Sequence, residues 1–423
     1  MMLPAPQQKP LESKVRFDKF MIKKAFIHSL RSFTGLLIFL AAAAGASGEE
    51  PVTTSQEIIT AIRPFPPEAQ GSVDSMLAFA LSPCTNFSPD TVKPLVDFVR
   101  QACLTDSGWE LPQLNGAAGS AYIMKVRVPL SQYLALNFHP GIPDYAVFPV
   151  ALRFSACLNS NDMQRAYACI GAGPTGTLQY VTDRITGMEE ITPNPESGCY
   201  FSYTNSRVFL RCKVDTRDVL FSCAETLAPS SFSNRGILVG PLDQALFYYS
   251  EKPGLNVPGM TWMLSQISHS TTLSIYIALN SNETAVATFA WLNAGWKGMN
   301  VTRTTHILNS QKNALDCSRR IAQHPKVSAP RLAAIVDDVN TMPPTAIDVE
   351  YGKYLAYITM WRDNPKSDFC NTSLLKKLYD PKAAEAIPLS HQRALLVQER
   401  IRVLMDRPTW SSRPDSGSLV SRK

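Results

Sequence analysis

Residues 198–214 read GCYFSYTNSRVFLRCKV, and their reading sets the fold class. β-Branched and aromatic residues flank Asn205-Ser206, a pair with turn chemistry, so the stretch predicts a hairpin turning there. In that register Thr204 faces Arg207, and Cys199 faces Cys212. Cys199, Phe201, Tyr203, Val208, Leu210 and Cys212 then share one face, while Ser202, Thr204, Arg207 and Arg211 share the other. Opposed residues at a non-hydrogen-bonded site have Cα atoms about 4.5 Å apart. A disulfide spans roughly 4.4–6.8 Å. The hairpin therefore predicts a Cys199–Cys212 disulfide.

A second turn at Arg217-Asp218 would bring Cys223 opposite Cys212 and align three thiols. Zinc asks for a fourth ligand or a water, and no histidine or further cysteine lies near in sequence. The expectation is one disulfide beside a buried thiol, with no metal and no cofactor. Of the nine cysteines, Cys84 and Cys103 are kept apart by an intervening helix, about 22 Å long at 1.5 Å per residue. Cys157–Cys169 and Cys317–Cys370 remain open as pairs, and the chain has no C-x-x-C.

Strand signals extend outward from the hairpin: AYIMKVRV, YAVFPVALRFSACL, DVLFSCA, GILVG and LSIYIAL. Next, SNETAVATFAWLNAG has the marks of a helix, with Asn282 as cap and Gly295 as stop. GMNVTRTTHIL follows as a strand, which would make a βαβ crossover. Before the strands, Ser88-Pro89-Asp90 opens a helix with Val92, Val96, Val99 and Cys103 on one face. After them, three helical faces follow: Leu332, Ile335, Val336 and Val339; Ile347, Tyr351, Leu355 and Ile358; and Ala394, Val397, Ile401 and Leu404. The predicted class is α+β, a mainly antiparallel central sheet with a helical N-terminal lead-in and a helical C-terminal region. The expected division is 1–46, a targeting region; 47–115, helical; 116–308, β-rich; 309–408, helical; and 409–423, a disordered tail.

The targeting region rests on residues 32–46, SFTGLLIFLAAAAGA, fifteen uncharged residues preceded by Lys23, Lys24 and Arg31. At about 22 Å as a helix the run falls short of the ~30 Å hydrocarbon core. A basic segment, an apolar run and Ala44-Gly45-Ala46 are the parts of a secretory signal, with cleavage expected after Ala46 and an uncleaved anchor as the competing reading. Met21 is an alternative start to Met1. Cleavage leaves no stable transmembrane span and places the product in the periplasm or outside the cell. Residues 1–46 hold seven basic and two acidic side chains, which leaves 34 basic and 33 acidic residues in the remainder. So balanced a charge argues against nucleic acid, which is captured by concentrated basic surface.

Residues 171–176, GAGPTG, match G-x-G-x-x-G, but the Thr- and Val-rich TLQYVTDRITG that follows does not secure the strand-turn-helix context of a dinucleotide loop. They read as a turn between strands. Ser373–Lys376 fits S-x-x-K without its partner motifs, and neither G-x-S-x-G nor H-E-x-x-H occurs in the mature chain. His139, His269, His306, His324 and His391 are scattered, and Trp291 and Trp296 flank a possible ligand platform. Sequons begin at Asn86, Asn282, Asn300 and Asn371. No catalytic residue is assigned. The expected role is an exported binding or envelope-assembly protein with a protein partner; the alternative is a secreted hydrolase whose Ser, His and acid meet only in the fold. Mass spectrometry of the product secreted from an exporting host tests the targeting reading: a mature chain beginning near Ser47 supports it, and retention of residues 1–46 refutes it.

Overall fold

An asparagine closes the longest pair of strands. Asn280 accepts from the Asn282 backbone N–H at 2.8 Å and donates to Glu283 at 2.9 Å, an Asx turn that reverses the chain. It joins β12 (Gln266–Asn280) to β13 (Glu283–Trp296) as an antiparallel hairpin. The computed structural model describes residues 62–82, 87–158, 160–171, 179–180, 185–191, 198–239, 246–255, 262–296, 299–363, 387–407 and 409–410. The predicted signal at 1–46 and the residues after 410 lie outside them.

Around this hairpin the main sheet runs β1 (Arg63–Pro64), β2 (Ser107–Leu114), β3 (Ala117–Val126), β13, β12, β9 (Arg217–Thr226), β8 (Ser202–Val214), β6 (Ile185–Ile191) and β4 (Leu152–Cys157). Apart from the parallel β1–β2 contact, its pairs are antiparallel. β5 (Gln179–Tyr180) pairs with β8, and β14 (Met299–Asn300) with β13. A second sheet has the order β11 (Leu246–Pro253), β10 (Asn234–Val239), β7 (Cys199–Tyr200). The α+β class and the two helical flanks agree with the sequence reading.

The period of two along the strands feeds two separate cores. On one face Ala121, Ile123, Leu273, Ile275, Ala287 and Phe289 meet α1 (Pro67–Leu81) and α2 (Lys93–Ala102). A short 3-10 turn, Pro89–Val92, leads into α2, with Ser88 capping the Asp90 N–H at 3.3 Å. On the other face Tyr122, Met124, Phe209, Leu220, Tyr276 and Val286 meet the remaining helices. These are α3 (Leu130–Phe138), α4 (Asp144–Val147), α5 (Ser160–Gly171), α6 (Thr304–Gln323), α7 (Ala329–Thr341), α8 (Pro344–Asp363) and α9 (Leu389–Leu404). Among the described residues no helix is long and apolar enough to cross a membrane.

The structure departs from the sequence expectations at several places. Asn205 and Ser206 lie inside the thirteen-residue strand β8, held between Gly187 and Thr186 of β6 and Thr226 and Glu225 of β9. With ladders on both sides, no turn forms there; the reversal comes at Asp215, whose φ of 55° is left-handed. Cys212 therefore faces Val219, while Cys199 sits in the other sheet opposite Arg235. Both are buried thiols, and the predicted Cys199–Cys212 disulfide is absent. Cys223 faces Val208, so the three-thiol row is absent too.

The expected helix at 282–295 is β13, and GMNVTRTTHIL supplies only β14 before α6 begins at Thr304. No crossover forms. A strand covered on both faces carries an apolar run on both sides, so Ala-rich sequence there lacks the alternation that separates strand from helix. Finally, the residues before GAGPTG, AYACI at 166–170, belong to α5, so Gly171 closes a helix and the stretch does not start from a strand as a turn between strands would.

The second sheet is tied to the main one through Arg153 of β4. Its guanidinium lies 4.5 Å from the Tyr200 ring and 4.3 Å from the Tyr249 ring, and pairs with Glu251 at 3.3 Å. Two desolvated cation–π contacts are worth roughly 1–2 kcal/mol each. At the centre of the main sheet, Gly119 faces Trp291, whose indole donates to the Pro112 carbonyl at 2.9 Å. A Cβ at Gly119 would lie 2.7 Å from that indole and 2.9 Å from Leu111 Cβ. Gly119→Ala should therefore cost about 1–3 kcal/mol by overpacking, read as a lower urea midpoint at unchanged slope.

Candidate functional site

Two helices bring charge into one cleft because of where their side chains repeat. On α6, Cys317, Arg320 and Ile321 fall at i, i+3 and i+4; on α9, Gln398, Ile401 and Arg402 do the same. Their facing surfaces enclose a cleft of ≈ 70 Å³ with Ala146, Pro149 and Val150 opposite.

Buried amides position both helices. Gln311 of α6 donates to the carbonyls of Ser120 and Thr288 at 3.2 and 3.0 Å and accepts from the Ser120 hydroxyl at 2.7 Å. Gln398 of α9 donates to the carbonyls of Tyr145 and Leu152 at 3.3 and 3.2 Å. Its amide N–H groups are thus engaged with the wall behind the cleft.

The third arginine arrives through a helix ending. Asp406 has φ 55°, and its N–H donates to the Val403 carbonyl at 3.1 Å while the Arg407 N–H donates to the Arg402 carbonyl at 2.8 Å. This is a Schellman closure with a left-handed aspartate in the position glycine usually fills. Lys326 holds the Asp406 carboxylate at 2.7 Å and keeps it below its usual carboxylate range. The turn brings Met405 and Arg407 to the cleft.

Arg320 and Arg407 are exposed and have no ion pair among the described residues. Arg402 is half-buried, and its contact with the Glu399 carboxylate is a loose 3.9 Å. Burial pulls the Arg402 guanidinium below its usual value, opposed by Glu399, Cys317 and two tyrosines; at neutral pH it stays charged. Both helices end here, each contributing about half a negative charge.

Cys317 is half-buried beside these arginines. Desolvation raises its thiol above the usual value, and Arg320, Arg402 and a hydrogen bond from the Val150 backbone only partly offset this. That is the opposite of the depressed thiol of a catalytic cysteine.

The residues singled out in the sequence lie elsewhere. His269 comes closest to a catalytic grouping: its Nε2 is 2.9 Å from Thr271 Oγ1 and 3.7 Å from Glu225 Oε1. In a working triad the acid holds one ring nitrogen and the nucleophile the other; here both contact the same one. His306 is exposed near the start of α6. His139 and His324 accept backbone N–H groups two residues on, and His391 stacks on Phe154 at 4.5 Å. Trp291 is a core residue instead of a ligand platform. Among the described residues no three metal-ligating side chains converge. Gly173, Gly176 and Ser373–Lys376 lie outside the described residues.

The cleft itself went unread in the sequence. One signal was present: α9 buries Gln398 and Glu399 together with Ala394, Leu395, Leu396 and Val397. Polar groups on a helix buried nearly all round mark a place where the fold needs polarity.

No protein-family model matches the chain, and no curated protein matches it. Among solved structures it is similar to truncated norcoclaurine synthase from Thalictrum flavum, at 8% identity over 48% of this chain and 92% of that one, with a TM-score of 0.22. It is also similar to the human StarD13 (DLC2) lipid transfer and protein localization domain, at 7% identity over 55% of this chain and 94% of that one, with a TM-score of 0.23. Both scores are too low for either likeness to assign this chain a fold.

The raised Cys317 thiol has a direct readout. In the native protein at pH 8, iodoacetamide should label Cys317 more slowly than it labels a small free thiol, and the rate should climb only as the pH passes the usual thiol value of 9.0. Peptide mass mapping measures this.

Proposed function

We propose that the chain is an exported binding protein that acts without covalent chemistry and takes an anionic group into the cleft between α6 and α9. One observation carries the binding role: Arg320, Arg402 and Arg407, from the ends of α6 and α9 and the turn beyond, line one concave surface. Guanidinium groups bind oxyanions through paired N–H donors, and the gain is larger in a partly desolvated cleft than in open water. Export rests on the basic and apolar pattern of residues 1–46. The high Cys317 thiol and the shared His269 nitrogen weigh against the hydrolase alternative.

Thermal unfolding at constant ionic strength tests the anion site. Small oxyanions at 100 times their dissociation constant should stabilise the protein by about 2.7 kcal/mol through mass action. Arg320→Gln should weaken that stabilisation at least tenfold in anion concentration. Equal response of the wild type to chloride and to every oxyanion would mean general salt action and would refute the site.

A further inference from the structure

Resting on the export reading, we propose that Asn282 is the acceptor of an N-linked oligosaccharide and that Asn300, which carries the same motif, is not. The two sequons are Asn282-Glu283-Thr284 and Asn300-Val301-Thr302. Asn86 and Asn371 lie outside the described residues.

Asn282 is exposed in the two-residue turn between β12 and β13, where Asn280 pairs with Glu283. Its backbone N–H donates to the Asn280 side chain at 2.8 Å, which fixes the turn without using the Asn282 side chain. Glu283 is drawn to other partners: its carboxylate pairs with Lys125 at 3.0 Å and accepts from Asn280 at 2.9 Å. Among the described residues the Asn282 side-chain amide has no hydrogen-bond partner. A bulky sugar chain there extends into solvent and displaces nothing.

Asn300 is spent on the fold. It is half-buried, its Nδ2 donates to the Gly116 carbonyl at 3.0 Å, and its Oδ1 accepts from the Ala294 and Thr302 backbone N–H groups at 3.3 and 3.0 Å. It thereby clamps β13 and β14 to the turn between β2 and β3. A sugar on Nδ2 replaces one of its two hydrogens and would be wedged against that turn. Chains modified there lose the clamp and the stability it supplies.

The transfer is a substitution at the sugar. Asn282 Nδ2 attacks C1 of the first sugar of a polyisoprenyl-pyrophosphate oligosaccharide. The Nδ2–C1 bond forms, and the C1–O bond breaks with its electron pair leaving on the pyrophosphate. One amide proton passes to a base of the host's membrane-bound transferase. The motif also requires the hydroxyl two residues on. In the folded chain that hydroxyl, on Thr284, is fully buried and donates to the Val128 carbonyl at 2.9 Å. Modification therefore precedes the pairing of β13 with β3 and takes place on the growing chain.

The test is expression of the full chain in a glycosylating secretory host, beside the same full chain placed behind an unrelated secretory leader. Both products are digested with peptide N-glycosidase, which converts an occupied asparagine to aspartate, and mapped by mass spectrometry. Asn282 should be converted and Asn300 intact. Asn282→Gln should remove that glycan and leave the urea midpoint unchanged, whereas Asn300→Gln should keep the glycan and lower the midpoint. Modification of Asn282 only behind the unrelated leader supports the site and overturns export by residues 1–46. An unmodified Asn282 in chain that the unrelated leader has carried to the medium overturns the proposal, and so does a glycan on Asn300 of the secreted product.

Discussion

The side-chain amide of Gln311 fixes α6 against the sheet. It lies on a helix, yet it bonds to Ser120 in β3 and to the Thr288 carbonyl in β13, so the helix cannot rotate or slide without breaking three hydrogen bonds. Buried groups left without partners cost about 1–3 kcal/mol each. Gln398 does the same for α9 against α4 and β4. Because a helix fixed in rotation fixes the direction of every side chain along it, these two anchors also determine where Arg320 and Arg402 point. The cleft is thus a consequence of how the helices are secured.

That arrangement explains why positive charge is tolerated there. A buried ion is costly unless compensated, and the arginines stand at the carboxyl-terminal ends of two helices, whose exposed carbonyls supply partial negative charge. Two of the three also reach solvent. The left-handed Asp406 adds to this by turning the chain back at a position where an aspartate can be steadied from outside by Lys326.

The class of the fold and most of its central strands were legible because β-branched runs, turn residues and helix starts such as Ser88-Pro89-Asp90 act locally. Two readings failed for a shared reason. Asn205-Ser206 and Asn282–Gly295 have local preferences for a turn and a helix, but neighbouring strands on both sides hold each segment extended. Tertiary pairing outweighs local preference when every backbone group finds a partner across a ladder. Once the turn moved to Asp215, the alignment of Cys199 with Cys212 vanished, since a disulfide inferred from register inherits any error in register. The cleft was less legible still. Its arginines come from positions 320, 402 and 407, and only a knowledge of how α6 lies against α9 brings them together.

The position of β13 has a consequence for synthesis. β3 pairs with β2 across a tight turn, but its other neighbour is β13, with Val126 facing a threonine 158 positions later in the chain. At ribosomal rates of about 5–20 residues per second, the β2–β3 ribbon must wait roughly eight to thirty seconds for that neighbour. For that interval it presents an unpaired edge. Its protection in a growing chain must come from outside the main sheet, from early docking of α1 and α2 or from a chaperone.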